Sequence, residues 1–436
     1  MRIAVIGAGV SGLGASYAMK DLHEVVLFEK DARLGGHANT ALIEYDGEQL
    51  AVDTGFIVFN EGNYPNLTRL FAHLGIETFA SDMSFAVSDP NGVEWSSGGL
   101  KGVFAWKRNL TRPAFLCMLG DIVRFSAQAR LDLQGERING ATLEEYVSGL
   151  GLGRRFLSDY LLPMGAAIWS TPEREMLRYP AASFLRFFDN HRLLYAKRPK
   201  WRSVVGGSRS YVDALRAALG SRVRSSAPVE EVRRDGHRVG VRTQGSETEW
   251  FDQVVLACHA DQALGLIANP TDAERAALSV IRYAPNTAYL HRDDSLMPAR
   301  RAAWSSWNYL RQRGDGVCVS YWMNRLQNLP ADKPTFVTLN PPAPPEPELT
   351  FGRYEYEHPQ FDAAALAAQA ELKALQGHDR LWFAGAWLGN GFHEDGLRSG
   401  LEVAHQLGAH VPWREYGLGE QARSAASAAY PVSAAA

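Results

Sequence analysis

The first residues whose spacing suits chemistry form a glycine-rich turn near the N-terminus. The turn follows the apolar run 2–6 and opens a stretch with helical spacing over residues 11–20. In a GxGxxG turn the first glycine permits the tight bend, the second lets the backbone approach a pyrophosphate, and the third lets the helix pack against the sheet. The pattern predicts that a dinucleotide binds at Gly7, Ala8, Gly9, Val10, Ser11 and Gly12.

An acidic residue and a second glycine-rich segment follow the next apolar run. Glu29 ends the run 24–29, where its carboxylate can accept hydrogen bonds from both ribose hydroxyls of a dinucleotide. The paired glycines after it let the chain pass close to a flat ligand, and Arg33 can reach a phosphate. The predicted contacts in this segment are Lys30, Arg33, Gly35, Gly36 and His37.

A third segment, near the other end of the chain, favours a flavin over a nicotinamide. Gly385 and the run GNGFHEDGLRSG (389–400) lead into a predicted helix. Backbone N–H groups at a helix start can stabilise negative charge on the N1/O2 edge of a reduced flavin. A nicotinamide dehydrogenase does not need this second element, so the sequence predicts non-covalently bound FAD.

These motifs together are similar to the flavin amine oxidase and phytoene desaturase-like FAD superfamily. The segments that carry the resemblance are GxGxxG, Glu29 with RxGG, Asp53-Thr54-Gly55, the glycines 206–207 before Tyr211, and the closing AG…G…E…SG. It spans about residues 1–412. The resemblance implies further FAD contacts at Thr54, Gly55, Phe56, Val229, Gly385, Glu394, Asp395, Gly396 and Leu397.

Three other runs resemble a bacterial branch tied to cyclopropane and furan fatty-acid metabolism. They are WNYL (307–310), YWMNRLQNL (321–329) and FVTLNPP (336–342). Members of this branch are implied to be FAD-dependent desaturases of methylated acyl chains in phospholipids. The expected reaction introduces a double bond by hydride transfer to flavin N5, and oxygen or an unidentified acceptor reoxidises the flavin.

The closing segment also contains the residues that we expect to manage the proton released by such a reaction. His393 and Glu394 precede the predicted helix, and a histidine can accept a proton near neutral pH without a large pKa shift. Both are therefore candidate catalytic residues. The alternative is that Glu394 only caps a helix and that His393 only lines the pocket.

Two departures from the amine oxidase pattern lower the expectation that amines are substrates. Phe392 stands where resembling amine oxidases usually place a tyrosine of the amine cage. Lys333 and Lys373, the lysines of residues 271–377, do not fall in a convincing strand. Candidate walls of an apolar substrate pocket are Phe59, Trp307, Tyr321 and Phe392. The alternatives are a flavin-dependent amine oxidase, or a flavin-binding regulatory or assembly protein without turnover.

Positive charge is concentrated in two segments that also contain aromatic residues. Residues 101–130 carry six basic side chains against one acidic one, and residues 185–202 do the same, so each has a net charge of +5. A basic amphipathic surface suits an anionic membrane, and the alternative is a solvated helix face whose aromatics belong to the core. We expect a cytoplasmic protein attached peripherally to the inner face of the cytoplasmic membrane.

Composition excludes several other classes of protein. A formal net charge of −3 argues against a general nucleic-acid binder. The three cysteines stand far apart and the histidines form no HxxxH or HExxH pair, so we expect no metal and no disulfide framework. The glycines within the apolar residues 1–19 favour a mature cytoplasmic N-terminus over a signal peptide.

The elements that must position these residues alternate between two domains along the chain. Strand, glycine turn, helix and strand within the first 29 residues form a βαβ unit, which predicts an α/β, Rossmann-type FAD-binding domain. We expect it to comprise residues 1–63, 204–268 and 378–413. A mixed α+β substrate domain is expected over 64–203 and 269–377, with 64–200 mostly helical. Residues 414–436 are expected to form a tail whose last part is disordered.

Overall fold

The computed structural model describes residues 1–89, 92–135, 137–138, 140–312, 314, 316–411 and 413. The predicted C-terminal tail, 414–436, lies outside the described residues. The strands, in chain order, are β1 (Arg2–Ile6), β2 (Glu24–Phe28), β3 (Thr40–Tyr45), β4 (Glu48–Asp53), β5 (Phe59–Asn60), β6 (Thr78–Ser81), β7 (Phe85–Ser88), β8 (Glu94–Ser96), β9 (Trp201–Val204), β10 (Val223–Arg224), β11 (Val229–Arg234), β12 (Val239–Thr243), β13 (Glu249–Phe251), β14 (Gln253–Leu256), β15 (Arg282–His291), β16 (Trp307–Arg311), β17 (Val317–Trp322), β18 (Phe336–Leu339), β19 (Thr350–Gln360) and β20 (Leu381–Phe383).

The helices lie between these strands in the chain order. The α-helices are α1 (Val10–Met19), α2 (Pro65–Leu74), α3 (Leu100–Val103), α4 (Pro113–Gln134), α5 (Leu143–Gly149), α6 (Arg154–Phe156), α7 (Leu162–Trp169), α8 (Glu173–Met176), α9 (Ala181–Asn190), α10 (Arg209–Leu219), α11 (Ala260–Leu266), α12 (Asp272–Ser279), α13 (Met323–Leu326), α14 (Ala363–Ala374) and α15 (His393–Gln406). A π-helical turn over Leu157–Leu161 joins α6 to α7, and a 3₁₀ turn over Lys107–Thr111 precedes α4.

A parallel sheet with the order β10-β2-β1-β14-β20 forms the nucleotide-binding layer. Because successive side chains of a strand point to opposite faces, Ile3 and Val5 of β1 enter one core, whereas Ala4 and Ile6 enter the other. The first core also contains α1, α10 and α15. The second contains α11, α12, α14 and the antiparallel sheet β11-β12-β13. This doubly covered parallel sheet confirms the predicted Rossmann-type α/β layer.

A seven-stranded sheet and the helices from α4 to α9 surround a third core. The strand order is β19-β15-β18-β17-β16-β7-β8, and β16 pairs in parallel with β7 while the other neighbours are antiparallel. Residues 64–200 are mostly helical, as predicted, but they also contain the unpredicted strands β6, β7 and β8. All four residues of β7 are buried, and a short run buried on both faces lacks the alternation that identifies a strand.

Helix α2 packs in the core of the nucleotide-binding layer and not in the substrate domain to which the sequence assigned it. Leu67, Leu70 and Phe71 of α2 lie in the same core as α1 and α10, although the sequence placed residue 64 onwards in the substrate domain. The other predicted domain boundaries stay predictions. Among the described residues, we find no helix whose length and apolar character would let it cross a membrane.

Candidate active site

The glycine turn between β1 and α1 has the open backbone that a pyrophosphate requires. Gly7 has a φ of +103°, and its N–H donates to the Phe28 carbonyl at 2.8 Å. A Cβ on Gly12 would lie 1.9 Å from the Gly7 carbonyl oxygen, so α1 packs on the turn only because residue 12 has no side chain. A Cβ on Gly9 would meet nothing within 4 Å, and no side chain caps α1. The first N–H groups of α1, from Val10 onwards, thus face a space that fits an anionic group.

Glu29 lies beside the same turn at the end of β2. Its Oε2 accepts the Ala8 N–H at 2.8 Å, and its Oε1 accepts the Asp31 N–H at 3.0 Å. A carboxylate offers about four lone-pair sites, so both oxygens can still accept bonds from a ribose. The Ala227 N–H donates to the Glu29 carbonyl at 2.8 Å, which brings the chain leading to Val229 alongside. Lys30, the next predicted contact, is exposed.

The RxGG segment forms a loop that rests on the glycine turn. The Gly35 N–H donates to the Ala8 carbonyl at 2.8 Å, and a Cβ on Gly36 would lie 3.3 Å from the Gly9 Cα. The guanidinium of Arg33 donates to the carbonyls of Leu34, Gly36 and Ala38 at 2.9–3.1 Å. Arg33 therefore braces the loop, and its contact with a phosphate stays a prediction.

His37 follows the paired glycines and has an unsatisfied ring nitrogen. Its Nε2 is buried without a hydrogen-bond partner, and its ring centroid lies 5.0 Å from that of Tyr356 and 5.4 Å from that of His358. Burial, followed by the neighbouring His358, lowers the pKa of His37 well below its ordinary value. A buried polar atom without a partner costs free energy, so a hydrogen-bonding group of a bound molecule fits here.

The closing helix lies directly on α1. A Cβ on Gly396 would be 2.9 Å from the Ser11 Oγ, and one on Gly400 would be 2.2 Å from the Ser11 carbonyl oxygen. Leu397 fills the space above Gly14, where a Cβ would lie 2.4 Å from its Cδ1. Each of these contacts between α1 and α15 involves a glycine, which leaves room for the two helices to approach. The start of α15 therefore lies next to the glycine turn. The structure thus brings together the two segments that the sequence predicted to hold a flavin.

Two further predicted contacts shape the start of α15. The Gly385 N–H donates to the Ser399 Oγ at 2.9 Å, which ties the end of β20 to the helix. The Asp395 Oδ2 accepts the N–H groups of Asn390 and Phe392, both at 3.1 Å. Burial raises the pKa of Asp395. Its carboxylate therefore holds the glycine-rich turn in place.

Glu394 has a role that differs from the catalytic one predicted. Its Oε1 accepts the backbone and side-chain N–H groups of Asn66 at 2.9 and 2.7 Å, and its Oε2 accepts the Leu67 N–H at 3.0 Å. These N–H groups belong to the first turn of α2. The structure corrects the assignment as a base, because both oxygens cap a neighbouring helix.

His393 is also held by its neighbours. Its ring stacks on Phe56 with centroids 4.0 Å apart and planes 9° apart, and the Tyr211 hydroxyl lies 2.5 Å from its Nε2. Burial lowers the pKa of His393 to about 3. The expectation that its pKa stays near neutral is therefore wrong, because the ring packs inside the protein.

The segment Asp53–Phe56 joins the two predicted domains through a residue that the sequence did not single out as functional. The Asp53 carboxylate accepts the Thr40 hydroxyl at 2.6 Å, the Ser208 hydroxyl at 2.7 Å and the Gln327 amide at 2.8 Å. Burial raises its pKa to about 6. Next to it, the Thr54 Oγ1 and Tyr356 hydroxyl are 2.7 Å apart. A Cβ on Gly55 would lie 2.3 Å from the His37 carbonyl oxygen, so this segment lies against the RxGG loop.

The predicted pocket residues divide between two cores. Phe59 is 2% exposed and packs edge-on against Tyr64 and Phe71 in the nucleotide-domain core, so its assignment to the pocket is corrected. Trp307 and Tyr321 face each other across β16 and β17 with centroids 5.0 Å apart, and the Trp307 Nε1 is buried without a partner. Both lie in the third core.

Phe392 belongs to an aromatic stack that sequence reasoning missed. Its ring lies 5.1 Å from Phe187, which stacks on His191 at 3.8 Å and contacts Trp169 at 4.7 Å. The Trp169 Nε1 is buried without a partner. The apolar residues of α9 recur at helical spacing, which could have indicated a buried face. The prediction for this segment used only its positive charge. The contact between His358 and His37 could not be predicted from the sequence, because it depends on how β19 packs in the fold.

Comparisons with known proteins agree with this geometry. The family model described as flavin containing amine oxidoreductase matches residues 10–294. A variant of putrescine oxidase redesigned in its cofactor binding is similar with a TM-score of 0.67 and 16% identity, covering 93% of this chain and 99% of that one.

Two other solved structures extend the range of chemistry found on this fold. A CLA-producing fatty acid isomerase from P. acnes has a TM-score of 0.63 at 15% identity, covering 93% of this chain and 98% of that chain. A putative protoporphyrinogen oxidase from Exiguobacterium sp. 255-15 has a TM-score of 0.63 at 16% identity, with the same coverage. At these identities the likeness concerns the fold. Because the family model spans most of the chain, this protein belongs to the flavin containing amine oxidoreductases, and its cofactor is FAD.

Proposed function

We propose that this FAD-dependent oxidoreductase introduces a double bond into a methylated acyl chain of a phospholipid, at the inner face of the cytoplasmic membrane. The observation that supports the proposal most is the aromatic stack beside the start of α15. Phe392, Phe187, His191 and Trp169 form it without a carboxylate or an ammonium group. Apolar and aromatic side chains line most small-molecule pockets, so this wall can hold a hydrocarbon chain.

The titratable groups around this wall support the same interpretation. Burial lowers the pKa of His191 to about 4, so its ring is neutral at pH 7. Lys333 is paired with an acidic residue, and its Nζ lies 2.5 Å from the Glu48 carboxylate. Lys373 is exposed in the last turn of α14. Neither lysine lies in a strand of the substrate domain, where an amine oxidase resembling this chain is expected to carry one.

The chemistry follows from what must leave the acyl chain. Forming a double bond removes a hydride from one carbon and a proton from its neighbour, and bound FAD supplies the acceptor for the two electrons. The apolar wall would orient the chain and exclude water. His37, whose buried Nε2 has no hydrogen-bond partner, is the candidate to accept the proton, because Tyr211 engages His393 and α2 engages Glu394. The His358 Nδ1 already lies 3.0 Å from the Ser170 hydroxyl. Burial lowers the pKa of His358 to about 4.

Anaerobic reduction of the bound flavin tests the substrate class. A methyl-branched unsaturated phospholipid should bleach the oxidised flavin band, whereas benzylamine and a polyamine should leave it unchanged. Phe392→Tyr should slow the bleaching by lipid, because it adds a hydroxyl to the wall. Phe351→Tyr is the matched control, since Phe351 packs against Tyr45 outside the stack.

Two other outcomes would each replace the proposal. Bleaching by an amine, with no response to any acyl lipid, would identify an amine oxidase. The putrescine oxidase fold shows that this architecture can serve an amine substrate, whereas the fatty acid isomerase supports an acyl one. Failure of every lipid and amine to reduce the flavin would favour a regulatory or assembly protein.

A further inference from the structure

Exposed apolar side chains are concentrated in one segment of the chain. Among the described residues, nine large apolar side chains are exposed, and five of them fall within residues 100–131. We call these five the apolar patch: Leu100 (79% exposed), Leu110 (54%), Leu116 (44%), Val123 (69%) and Leu131 (57%). Scattered apolar residues are normal on a protein surface, but a contiguous group indicates a binding surface.

Helix α4 gives the patch its shape, because it is apolar on two opposite faces. Phe115, Met118 and Phe125 of the inner face are buried in the third core. On the outer face Leu116, Val123, Ala127 and Leu131 are exposed, and at 3.6 residues per turn they span an arc of only about 80°. The acidic residues of α4, Asp121 and Asp132, are both buried. A helix that only covered the core would have a polar outer face.

Basic side chains surround the apolar patch. Lys101, Lys107 and Arg108 are exposed beside Leu100 and Leu110. The guanidinium of Arg130 lies 5.0 Å from the Tyr195 ring centroid, which joins α4 to the second basic segment. The exposed cations of that segment are Arg186, Arg192, Lys197, Arg198 and Lys200. The second basic segment therefore contacts α4 one residue before Leu131, and the first basic segment includes α4 and the residues that precede it.

The aromatic residues of the first segment do not form this surface. Phe115 and Phe125 are 0% and 1% exposed, so they belong to the core. Trp106 is half-buried under the guanidinium groups of Arg112 and Arg300, at 4.3 and 4.6 Å. The exposed apolar residues are aliphatic, whereas the centre of a protein interface is typically rich in aromatic residues.

We propose that the apolar patch inserts into a bilayer that contains anionic phospholipids, with α4 lying in the plane of the membrane. Leucine and valine side chains enter the acyl region, and the surrounding cations bind lipid phosphates. The proposal deepens the proposed function, since an acyl phospholipid substrate resides in such a bilayer. The surface itself is independent of the reaction, so binding and flavin reduction can fail separately.

Vesicle flotation of the FAD-loaded full chain tests the patch. The triple variant Leu116→Ser, Val123→Ser, Leu131→Ser should bind vesicles containing phosphatidylglycerol at least about tenfold more weakly, because burying each aliphatic side chain favours the membrane. The matched control is Leu22→Ser with Leu42→Ser, whose side chains are each 56% exposed but lie outside the patch. This control should bind like the wild type. Flavin absorbance and melting temperature should be unchanged in both variants.

Charge reversal tests the surrounding cations separately. Lys101→Glu, Lys107→Glu and Arg108→Glu together should abolish binding to phosphatidylglycerol vesicles, and added salt should weaken wild-type binding. Equal wild-type binding to vesicles of phosphatidylcholine alone would overturn the anionic part of the proposal. Wild-type binding by the triple serine variant would overturn insertion. A wild-type dimer that this variant converts to a monomer in sedimentation velocity would show that a second copy covers the patch instead.

Discussion

At the scale of single residues, two buried carboxylates hold segments that are distant in the chain. Asp53 collects hydrogen bonds from β3, the start of α10 and the residue after α13, and Glu394 collects them from α2. Burial raises the pKa of each, to about 6 and about 7. Both carboxylates therefore couple the packing of the site to pH.

The pH dependence of stability tests the position of Glu394. A folded-state pKa raised from 4.5 to about 7 gives a contribution that is complete below about pH 4.5 and is lost as the pH rises through 7. The free energy of unfolding of the wild type, relative to Glu394→Gln, should therefore fall by about 2–3 kcal/mol between about pH 5 and pH 8. Urea unfolding at both pH values measures it. Glu402→Gln, exposed on the same helix, is the control, and an identical pH trend in both variants would contradict the assignment.

A second residue-scale prediction concerns the ribose. Glu29→Ala should weaken FAD binding by about 1.5–3 kcal/mol, because hydrogen bonds to a charged acceptor are lost. Equilibrium dialysis against FAD measures the change. Glu24→Ala removes a carboxylate from the other end of β2, where it pairs with Arg2 at the surface, and should leave affinity unchanged. Equal affinity of Glu29→Ala and the wild type would exclude a ribose contact.

At the scale of elements, the contact between α1 and α15 depends on residues without side chains. Gly400→Ala would put a Cβ 2.2 Å from the Ser11 carbonyl oxygen, so the helices must separate. We expect a loss of roughly 1–3 kcal/mol in stability, as for overpacked cores, together with weaker FAD binding. Thermal unfolding with and without FAD measures both effects.

The matched control for this substitution is another helical glycine. A Cβ on Gly265 of α11 would meet nothing within 4 Å, so Gly265→Ala should gain about 0.5–1 kcal/mol. If both variants gained stability, the two helices would not be in the close contact described.

The sequence predicts the elements whose signals are local. The βαβ unit follows from glycine positions and apolar periodicity, and the structure confirms it. Capping by Glu394 was one of the alternatives that the sequence left open, but the helix that it caps could not be predicted, because Asn66 stands 328 residues away. The link from Asp53 to Gln327 could not be predicted either, because 274 residues separate them. His37 was found from its place after two glycines, but its neighbour His358 depends on the packing of β19.

At the scale of the whole molecule, bound FAD should increase the free energy of unfolding. It binds between segments from the beginning and the end of the chain, and a ligand that binds only the folded state stabilises it by mass action. At a free FAD concentration of 100 times Kd, the gain should be about 2.7 kcal/mol. FMN lacks the adenosine that Glu29 is placed to bind, so it should raise the melting temperature much less. Equal shifts by the two flavins would contradict the FAD site.

The strand order of the parallel sheet has a consequence for synthesis on the ribosome. β14 ends at Leu256, but its outer neighbour β20 begins only at Leu381. Translating the residues between them takes on the order of 10 s. During this interval the outer edge of β14 has no strand to pair with, and unpaired edges promote aggregation. Since α15 is made later still, the cofactor site is completed only after both β20 and α15 have been synthesised.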